Sequence, residues 1–302
     1  MRPDATRARD LQTAESLYAL TLVPEVDSAR AIGLAARFGS WEALLGAGPA
    51  DLPAAGDAMV DAHRAAVGMD ATGSTGARLV GWFDSTYPEG LRDLEDPPAV
   101  LWVRGDLGPA PRLAVVGTRT PTAWGLRVAD LVAAAAAARG VPVVSGLAFG
   151  IDIAAHQAVL REGGRTVAVM GGGVDVPSPR EHAVQASRIL AAGGALVAEV
   201  PPGTTPTART LVARDRIQAA LARATVMVQC DLASGAMHTA RFTVALGRGL
   251  VVPVPPDTEA EAPENAGNQA MLRPAAEDDA PRATTALGSV SDLDRLFDLL
   301  GP

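Results

Sequence analysis

The chain has 302 residues, 48% of them hydrophobic and 20% charged, which fills one large core or two and excludes a globally disordered polymer. Its 26 arginines and 34 carboxylates, with no lysine, give a net charge of −8, which taken whole argues against a nucleic-acid surface. One cysteine, Cys230, excludes an internal disulfide framework and a multi-cysteine zinc site.

The elements follow in chain order. Met1 to Asp10 is charged and has no apolar stretch behind it, so it is not a secretory signal, and a cytoplasmic location is expected. Leu11 to Leu22, Ala29 to Phe38 and Trp41 to Leu45 carry apolar residues at helical spacing, with Ser40 as the N-cap of the third. Val23 to Arg30 faintly resembles a helix-hairpin-helix, but Asp27 stands where a hairpin glycine would be. The segment therefore reads as a packing or partner module. Ala71 to Gly76 is a small-residue linker, and Arg78 to Gly105 turns extended, ending in the strand Val100 to Val103.

From there strand and helix alternate. Strands are expected at Leu113–Val116, Pro142–Val144, Thr166–Met170, Ala195–Glu199, Thr225–Gln229 and Leu250–Val254. Helices are expected at Thr122–Arg139, Ile151–Glu162, Glu181–Ala192, Leu211–Arg223 and Gly235–Gly247. Valine-rich runs, each followed by a helix, predict an α/β fold: a doubly wound, mainly parallel Rossmann-like sheet. Val128 to Ala138 is too short to span a bilayer, and no membrane association is expected. Pro255 to Arg282, rich in proline, alanine and acids, reads as a mobile loop. A last helix, Asp292 to Leu300, is expected with Ser291 as its cap. The domain expectation is a helical unit over 1–75, a Rossmann-like core over 76–256 and an acidic loop with a terminal helix over 257–302.

The charge divides along the same lines. Residues 1–110 carry net −7, residues 111–256 net +6 and residues 257–302 net −7. The positive block coincides with the expected parallel sheet, so the bulk charge does not describe the site.

Every strand of that block ends in glycine or a small hydroxyl residue: Gly117-Thr118-Arg119, Ser145-Gly146, Gly171-Gly172-Gly173, Pro201-Pro202-Gly203-Thr204 and Ser234-Gly235. Glycine lets a ligand approach the backbone and helix N-termini offer free N–H groups, so such a rim suits phosphate. Parallel sheets need glycine at these turns in any case, but five together with the forked donor Arg119 favour an anionic ligand. No G-x-G-x-x-G occurs, and a Walker A site is impossible without lysine, so no cofactor is expected. Asp152 and His156, four apart on one helix face, have no visible third metal ligand. A structural hydrogen bond is expected there rather than metal binding or catalysis. Cys230 reads as a buried small hydrophobe, and Trp124 as leaning to the core.

These turns, in this order, resemble one family. Gly117-Thr118-Arg119, Ser145-Gly146-Leu147-Ala148-x-Gly150-Ile151-Asp152-x-x-Ala155-His156, Gly171-Gly172-Gly173-x-Asp175, Pro201-Pro202-Gly203-Thr204 and Ser234-Gly235-x-x-x-Thr239-Ala240 are similar to the DNA-processing protein A (DprA/Smf) family. Upstream, Tyr87-Pro88-x-x-Leu91 and Asp96-Pro97-Pro98-x-x-Leu101-x-x-x-Gly105 resemble its lead-in segment. The resemblance implies single-stranded DNA binding and protection, loading of a RecA-type recombinase during natural transformation and recombination, a homodimer formed through the Rossmann-like core, and no enzymatic reaction.

The DNA-binding residues it implies are Gly117, Thr118, Arg119, Ser145, Gly146, Phe149, Gly171, Gly172, Gly173, Arg214 and Arg216. Arg119 is a phosphate contact or the partner of a carboxylate such as Asp152. Arg214 and Arg216 point about 200° apart on one helix, so one of them is expected to face the groove. Phe149 stacks a base or packs in the core. The chain departs from the family at Phe149, where arginine is usual, and at Ala213-Arg214-Asp215-Arg216, where Arg-Arg-Asn-Arg is usual. It departs again at Ser178 and His182, where tyrosine and asparagine are usual. With arginines lost and a carboxylate gained, a weaker hold on phosphate is expected. Many relatives also carry a C-terminal winged helix, for which 302 residues leave no room. The alternative is a nucleotide-binding protein, either a sensor or a phosphoribohydrolase-like enzyme. The enzymes' Pro-Gly-Gly-x-Gly-Thr-x-x-Glu turn lacks its carboxylate here, where Ser234 to Arg241 stands.

Overall fold

The structure is a computed structural model that describes residues 7–47, 56–67, 75–110, 112–273 and 284–301. The chain divides into two compact units, Met1–Val103 and Arg104–Pro302.

The first unit is helical with one β-hairpin. It holds α1 (Ala14–Thr21), α2 (Ser28–Phe38), α3 (Trp41–Leu45) and α4 (Gly56–Val67). Three side chains start these helices. The Thr13, Asp27 and Ser40 side chains accept from the Ser16, Arg30 and Ala43 N–H groups, satisfying donors the helix leaves open. Asp27 thus serves as the cap of α2, and Glu25 before it takes the left-handed turn conformation with φ 66°. The core gathers Leu17, Leu20, Leu34, Trp41, Leu44 and Met59. Trp41 satisfies its indole N–H on the Ser16 hydroxyl at 2.8 Å. Strands β1 (Arg78–Gly81) and β2 (Val100–Gly105) pair antiparallel, Leu79 opposite Trp102. Helix α4 was not anticipated. Residues 71–74 of the expected linker lie outside the described residues.

The second unit is the doubly wound sheet. Its strands are β3 (Leu113–Val116), β4 (Val143–Ser145), β5 (Thr166–Val169), β6 (Ala195–Ala198), β7 (Ala224–Met227), β8 (Gly249–Pro253) and β9 (Thr285–Leu287). They lie in the order β6-β5-β4-β3-β7-β8-β9, all parallel. The connecting helices are α5 (Ala123–Ala138), α6 (Ile151–Arg161), α7 (Ala183–Ala191), α8 (Ala208–Leu221), α9 (Ala236–Ala245), α10 (Ala266–Leu272) and α11 (Leu293–Asp298). Alternation along the strands divides the side chains between two faces. Leu113, Val115, Val226 and Val251 meet α5, α6 and α11, whereas Val116, Met227, Leu250 and Val252 meet α9 and α10. The chain winds outward from β3 through β6 and then returns to the other side of β3 with β7. That reversal opens a crevice between β3 and β7 at their carboxyl ends. Among the described residues no helix is long and apolar enough to cross a membrane.

The tail differs from the expected loop. Residues 266–272 form α10, which buries Ala270 and Met271. Asn268, fully buried, accepts from the Cys230 N–H at 3.0 Å and donates to the Val228 and Pro253 carbonyls. One side chain so completes three backbone groups at the carboxyl ends of β7 and β8. Composition hides this, because the anchoring is done by an asparagine and not by an apolar stripe. Residues 274–282 of the expected loop lie outside the described residues. The last helix is preceded by a 3-10 turn, Val290–Asp292, whose capping residue is Ser289, not Ser291: Asp292 reaches back to the Ser289 N–H at 2.9 Å.

Candidate nucleic-acid interface

The crevice at the reversal point is a cleft of about 520 Å³. Its walls are the turn Gly117–Thr120 after β3, the loop Asp231–Gly235 after β7, and one face each of α8 and α9. A smaller hollow of about 130 Å³ adjoins it, between Phe149, Gly171, Gly172 and Pro206. The two share Arg119, Ala148, Leu211 and Arg214, so they form one groove over the strand ends.

Arg119 is exposed on the turn after β3 and has no hydrogen-bond or ion-pair partner among the described residues. It makes no salt bridge to Asp152. A guanidinium held at a groove with no protein partner retains its donors for an external anion.

The two helix arginines behave differently. Arg214 is 8% exposed. Its Nη1 donates to the Val169 carbonyl at 2.7 Å and to the Gly146 carbonyl. Nη2 lies 3.9 Å from Asp152 Oδ2, and Nε lies 3.5 Å from Asp215 Oδ1. Arg214 lies under the groove, binding two strand ends and two carboxylates together. Arg216 is equally buried and faces away, forked onto Glu199 at 2.7 and 2.8 Å. Of the pair, Arg214 alone lines the groove.

The glycine rim is mostly turned inward. A side chain at Gly146 would collide with the Arg214 guanidinium, and one at Gly171 would stand 2.8 Å from Leu211. These glycines let the helices close on the strand ends, and they line the groove from below. Gly117 and Thr118 line the larger cleft, and Gly146, Gly171 and Gly172 the smaller hollow. Ser145 is buried beneath, its hydroxyl donating to the Val115 carbonyl at 2.7 Å, and Gly173 is also buried outside both linings.

Phe149 is 45% exposed. Its inner edge packs on His182, ring centroids 4.7 Å apart, and its remaining surface stays open. His182 in turn donates from Nδ1 to the carbonyl of Leu147 at 2.7 Å. Leu147 is a fully buried residue at φ 61°, a strained conformation for a branched side chain. The His182 bond thus holds the turn that presents Phe149. Trp124 is half-buried on α5, and Cys230 is buried.

Asp152 and His156 share a face of α6 but pair elsewhere. His156 bonds through Nδ1 to the Thr166 hydroxyl at 2.7 Å. Burial, then His182 and Arg214, push its pKa down to about 3, so the ring is neutral and does no acid-base work near neutrality. Asp152 takes the Ala148 N–H at 3.3 Å, and burial raises its pKa despite Arg214 beside it. Among the described residues no cluster of three His, Cys, Asp or Glu side chains could hold a metal ion.

Sequence reasoning did not assign Asp215, Gln218 or Thr239 to the site. Leu211, Asp215 and Gln218 recur at helical spacing along α8, and all three line the cleft. Polar residues interrupting an otherwise apolar stripe were the available signal. Asp215 is 6% exposed and accepts from Gln218 Nε2 at 3.0 Å. Burial and the Asp152 charge push its carboxyl up to about 7, against the pull of Arg214, Arg119 and Gln218. A carboxyl whose folded pKa stands above its unfolded value stabilises the protein fully below the unfolded value. That contribution is lost as pH rises through about 7. Asp215→Asn, neutral throughout, is therefore expected to be more stable than the parent at about pH 8, by on the order of 2–4 kcal/mol. The gap should shrink below about pH 6, and paired thermal melts check it. An unchanged gap across that range would show that Asp215 is not the titrating group.

A parallel doubly wound sheet with a cleft at its reversal point is a Rossmann-like fold. Residues 78–280 match the DNA recombination-mediator protein A family, and the chain belongs to that family. A DNA processing protein DprA of Mycobacterium tuberculosis is 48% identical over 187 residues, covering 60% of this chain and 46% of that protein. Protein Smf of Escherichia coli is 40% identical over 164 residues (54% and 44%), and DNA processing protein DprA of Bacillus subtilis is 37% identical over 165 (54% and 55%). The chain thus spans about half the length of the curated relatives it matches. The fold is shared with the DprA of Streptococcus pneumoniae, at a TM-score of 0.66 and 22% identity over 85% of this chain and 96% of that one. It is also shared with the Helicobacter pylori DprA, a protein described for its single-stranded DNA binding mode, at a TM-score of 0.60 and 22% identity over 73% and 96%.

Proposed function

We propose that the groove over the strand ends binds single-stranded DNA, and that the chain serves recombination by binding and protecting strands rather than by catalysis. The observation that carries this is Arg119: an exposed guanidinium with no hydrogen-bond or ion-pair partner among the described residues, on the turn that opens the cleft. Backbone phosphates are the ligand class that such a donor, set in the net +6 block of residues 111–256, suits. Phe149, exposed on the adjoining hollow, supplies a flat face for one base. Family membership supports the rest of the reading: action in the cytoplasm during DNA uptake, a RecA-type recombinase as the recipient of the strand, and a second copy of this chain as partner.

The test is a fluorescent oligo-dT titration over a range of salt. Affinity is expected to fall steeply with salt, and Arg119→Ala to weaken binding roughly 5–10-fold at low salt while flattening the log–log slope by about 0.7. Phe149→Ala should cost about 1–3 kcal/mol of binding through lost stacking. Absence of oligomer binding at low salt would overturn the proposal.

A further inference from the structure

The larger cleft holds a carboxyl where a groove for phosphate is best served by none. Asp215 lines it from α8 and is 6% exposed. Its Oδ1 accepts from Gln218 Nε2 at 3.0 Å and lies 3.5 Å from Arg214 Nε. Its Oδ2 has no hydrogen-bond partner among the described residues. That oxygen lies toward Gly235 on the facing loop, where an added Cβ would stand 3.9 Å from it and meet nothing nearer.

Charged and titratable groups face Asp215 from every element around it. Arg214 lies on its own helix, Asp152 on α6, Arg119 on the turn after β3, Asp231 on the loop after β7 and His238 on α9. Arg214 is shared between Asp215 and Asp152, and one guanidinium balances one carboxylate, not two. The trio therefore gains one negative charge when Asp215 ionises, an event that burial and the Asp152 charge postpone to about pH 7. Arg119, the exposed donor, is within electrostatic reach of Asp215. The field that draws on Arg119 also repels a phosphate seated on it. In a cleft with low-dielectric walls that field is screened less than at an open surface.

We infer that Asp215 sets the groove's affinity for DNA through its own proton: beside the neutral carboxyl a phosphate seats on Arg119 unopposed, and the carboxylate repels it. The inference rests on the single-strand reading above and adds a control that an arginine, charged at every working pH, cannot supply. Bound phosphate favours the protonated carboxyl, so the complex keeps the proton to higher pH than the free chain does. Affinity is therefore full well below about pH 7, falls as pH rises through that value, and levels off once free and bound forms are both ionised. Between those limits each binding event takes up to one proton from solution, by the same linkage.

The experiment titrates the full chain with fluorescent oligo-dT at low salt, at about pH 6 and about pH 8. It also measures the heat of binding at about pH 7.5 in two buffers of different ionisation enthalpy, which counts the protons taken up. The parent is expected to bind about five- to tenfold more weakly at the higher pH. That is the scale of one unit charge acting over about 10 Å at an effective dielectric of about 20, reduced by salt. Asp215→Asn keeps the side-chain shape and an acceptor for Gln218, and is expected to bind alike at both pH values with no proton uptake. His238→Gln removes the titratable ring on the cleft wall and should keep both the fall and the uptake. Proton uptake on binding is a readout that a change of stability alone does not move. Equal affinity of the parent at both pH values, a fall that survives Asp215→Asn, or a fall lost with His238→Gln would each overturn the inference. If oligo-dT binds neither parent nor variants at low salt, the single-strand reading falls. Inorganic pyrophosphate, titrated at the same two pH values, then decides the role of Asp215 by itself: binding that weakens with pH in the parent and not in Asp215→Asn upholds it, and equal or absent binding overturns it.

Discussion

Deleting residues 284–302 is expected to abolish cooperative folding of the sheet unit. The net charge of −7 over residues 257–302 suggests a dispensable appendage, whose removal would leave DNA binding intact or stronger by relieving repulsion. The structure assigns it a different role. Leu287, Leu293, Leu296 and Leu300 are all at most 7% exposed and belong to the core cluster that also holds Val115, Val226 and Val251. Burying four leucines is worth roughly 6–12 kcal/mol, at about 1.5–3 kcal/mol each. That is the scale of a whole domain's stability, about 5–15 kcal/mol. The deletion also strips β9 from β8, exposing the paired edge of Val251 to Pro253. It removes Asp294 and Phe297 as well, which hold Arg139 by an ion pair at 2.9 Å and a ring contact at 4.3 Å. Far-ultraviolet dichroism and a thermal melt of the truncated chain check this. A melt within a few degrees of the parent would show that the tail adds nothing to the core.

Arg214→Ala is expected to cost stability far more than it alters any surface. The guanidinium satisfies the Val169 and Gly146 carbonyls at two strand ends and lies against Asp152 and Asp215. Its removal leaves Asp152 and Asp215 buried without their ion-pair partner and takes a donor from each of the two carbonyls. Breaking one partner out of a buried ionic group costs about 3–5 kcal/mol. Asp152 and Asp215 should both become harder to ionise, because burial already raises each and Arg214 opposes that rise. The variant should therefore be least stable above about pH 7, where Asp215 ionises, and partly recover as pH falls. Arg214→Lys should recover little, because a point ammonium cannot reach carbonyls and carboxylates together as the fork does. Urea unfolding at two pH values measures this. A variant of unchanged stability but much weaker oligo-dT binding would place Arg214 in direct contact with phosphate instead. Arg216→Ala offers the comparison, since its Glu199 partner keeps a more exposed side chain and hydrates more readily.

The architecture was legible because it depends on local patterns. Valine runs of strand length, separated by helical spacing, specify a parallel sheet wherever both faces are covered, and the strand bounds in Leu113–Val116 and its neighbours agree with that pattern to within two residues. The turn motifs and their order were equally legible, and with them the family, because strand-end turns are contiguous in sequence. The block of net +6 coincides with the strands of the parallel sheet, which the bulk charge of −8 conceals.

The roles of individual charges were not legible. Arg119, Arg214 and Arg216 carry the same side chain, and only packing separates an exposed donor from a strand clamp and a buried ion pair. The neighbours that decide this lie far away in sequence, Val169 and Gly146 for Arg214 and Glu199 for Arg216. The tail ahead of the expected last helix became structural through Asn268, one polar side chain in a proline- and acid-rich segment. Asp215 stands in the sequence as one more negative charge. Burial beside Asp152, Arg214 and Arg119 makes it a group that titrates near neutrality, because the free energy of an ion is set by its surroundings and the chain supplies those only when folded.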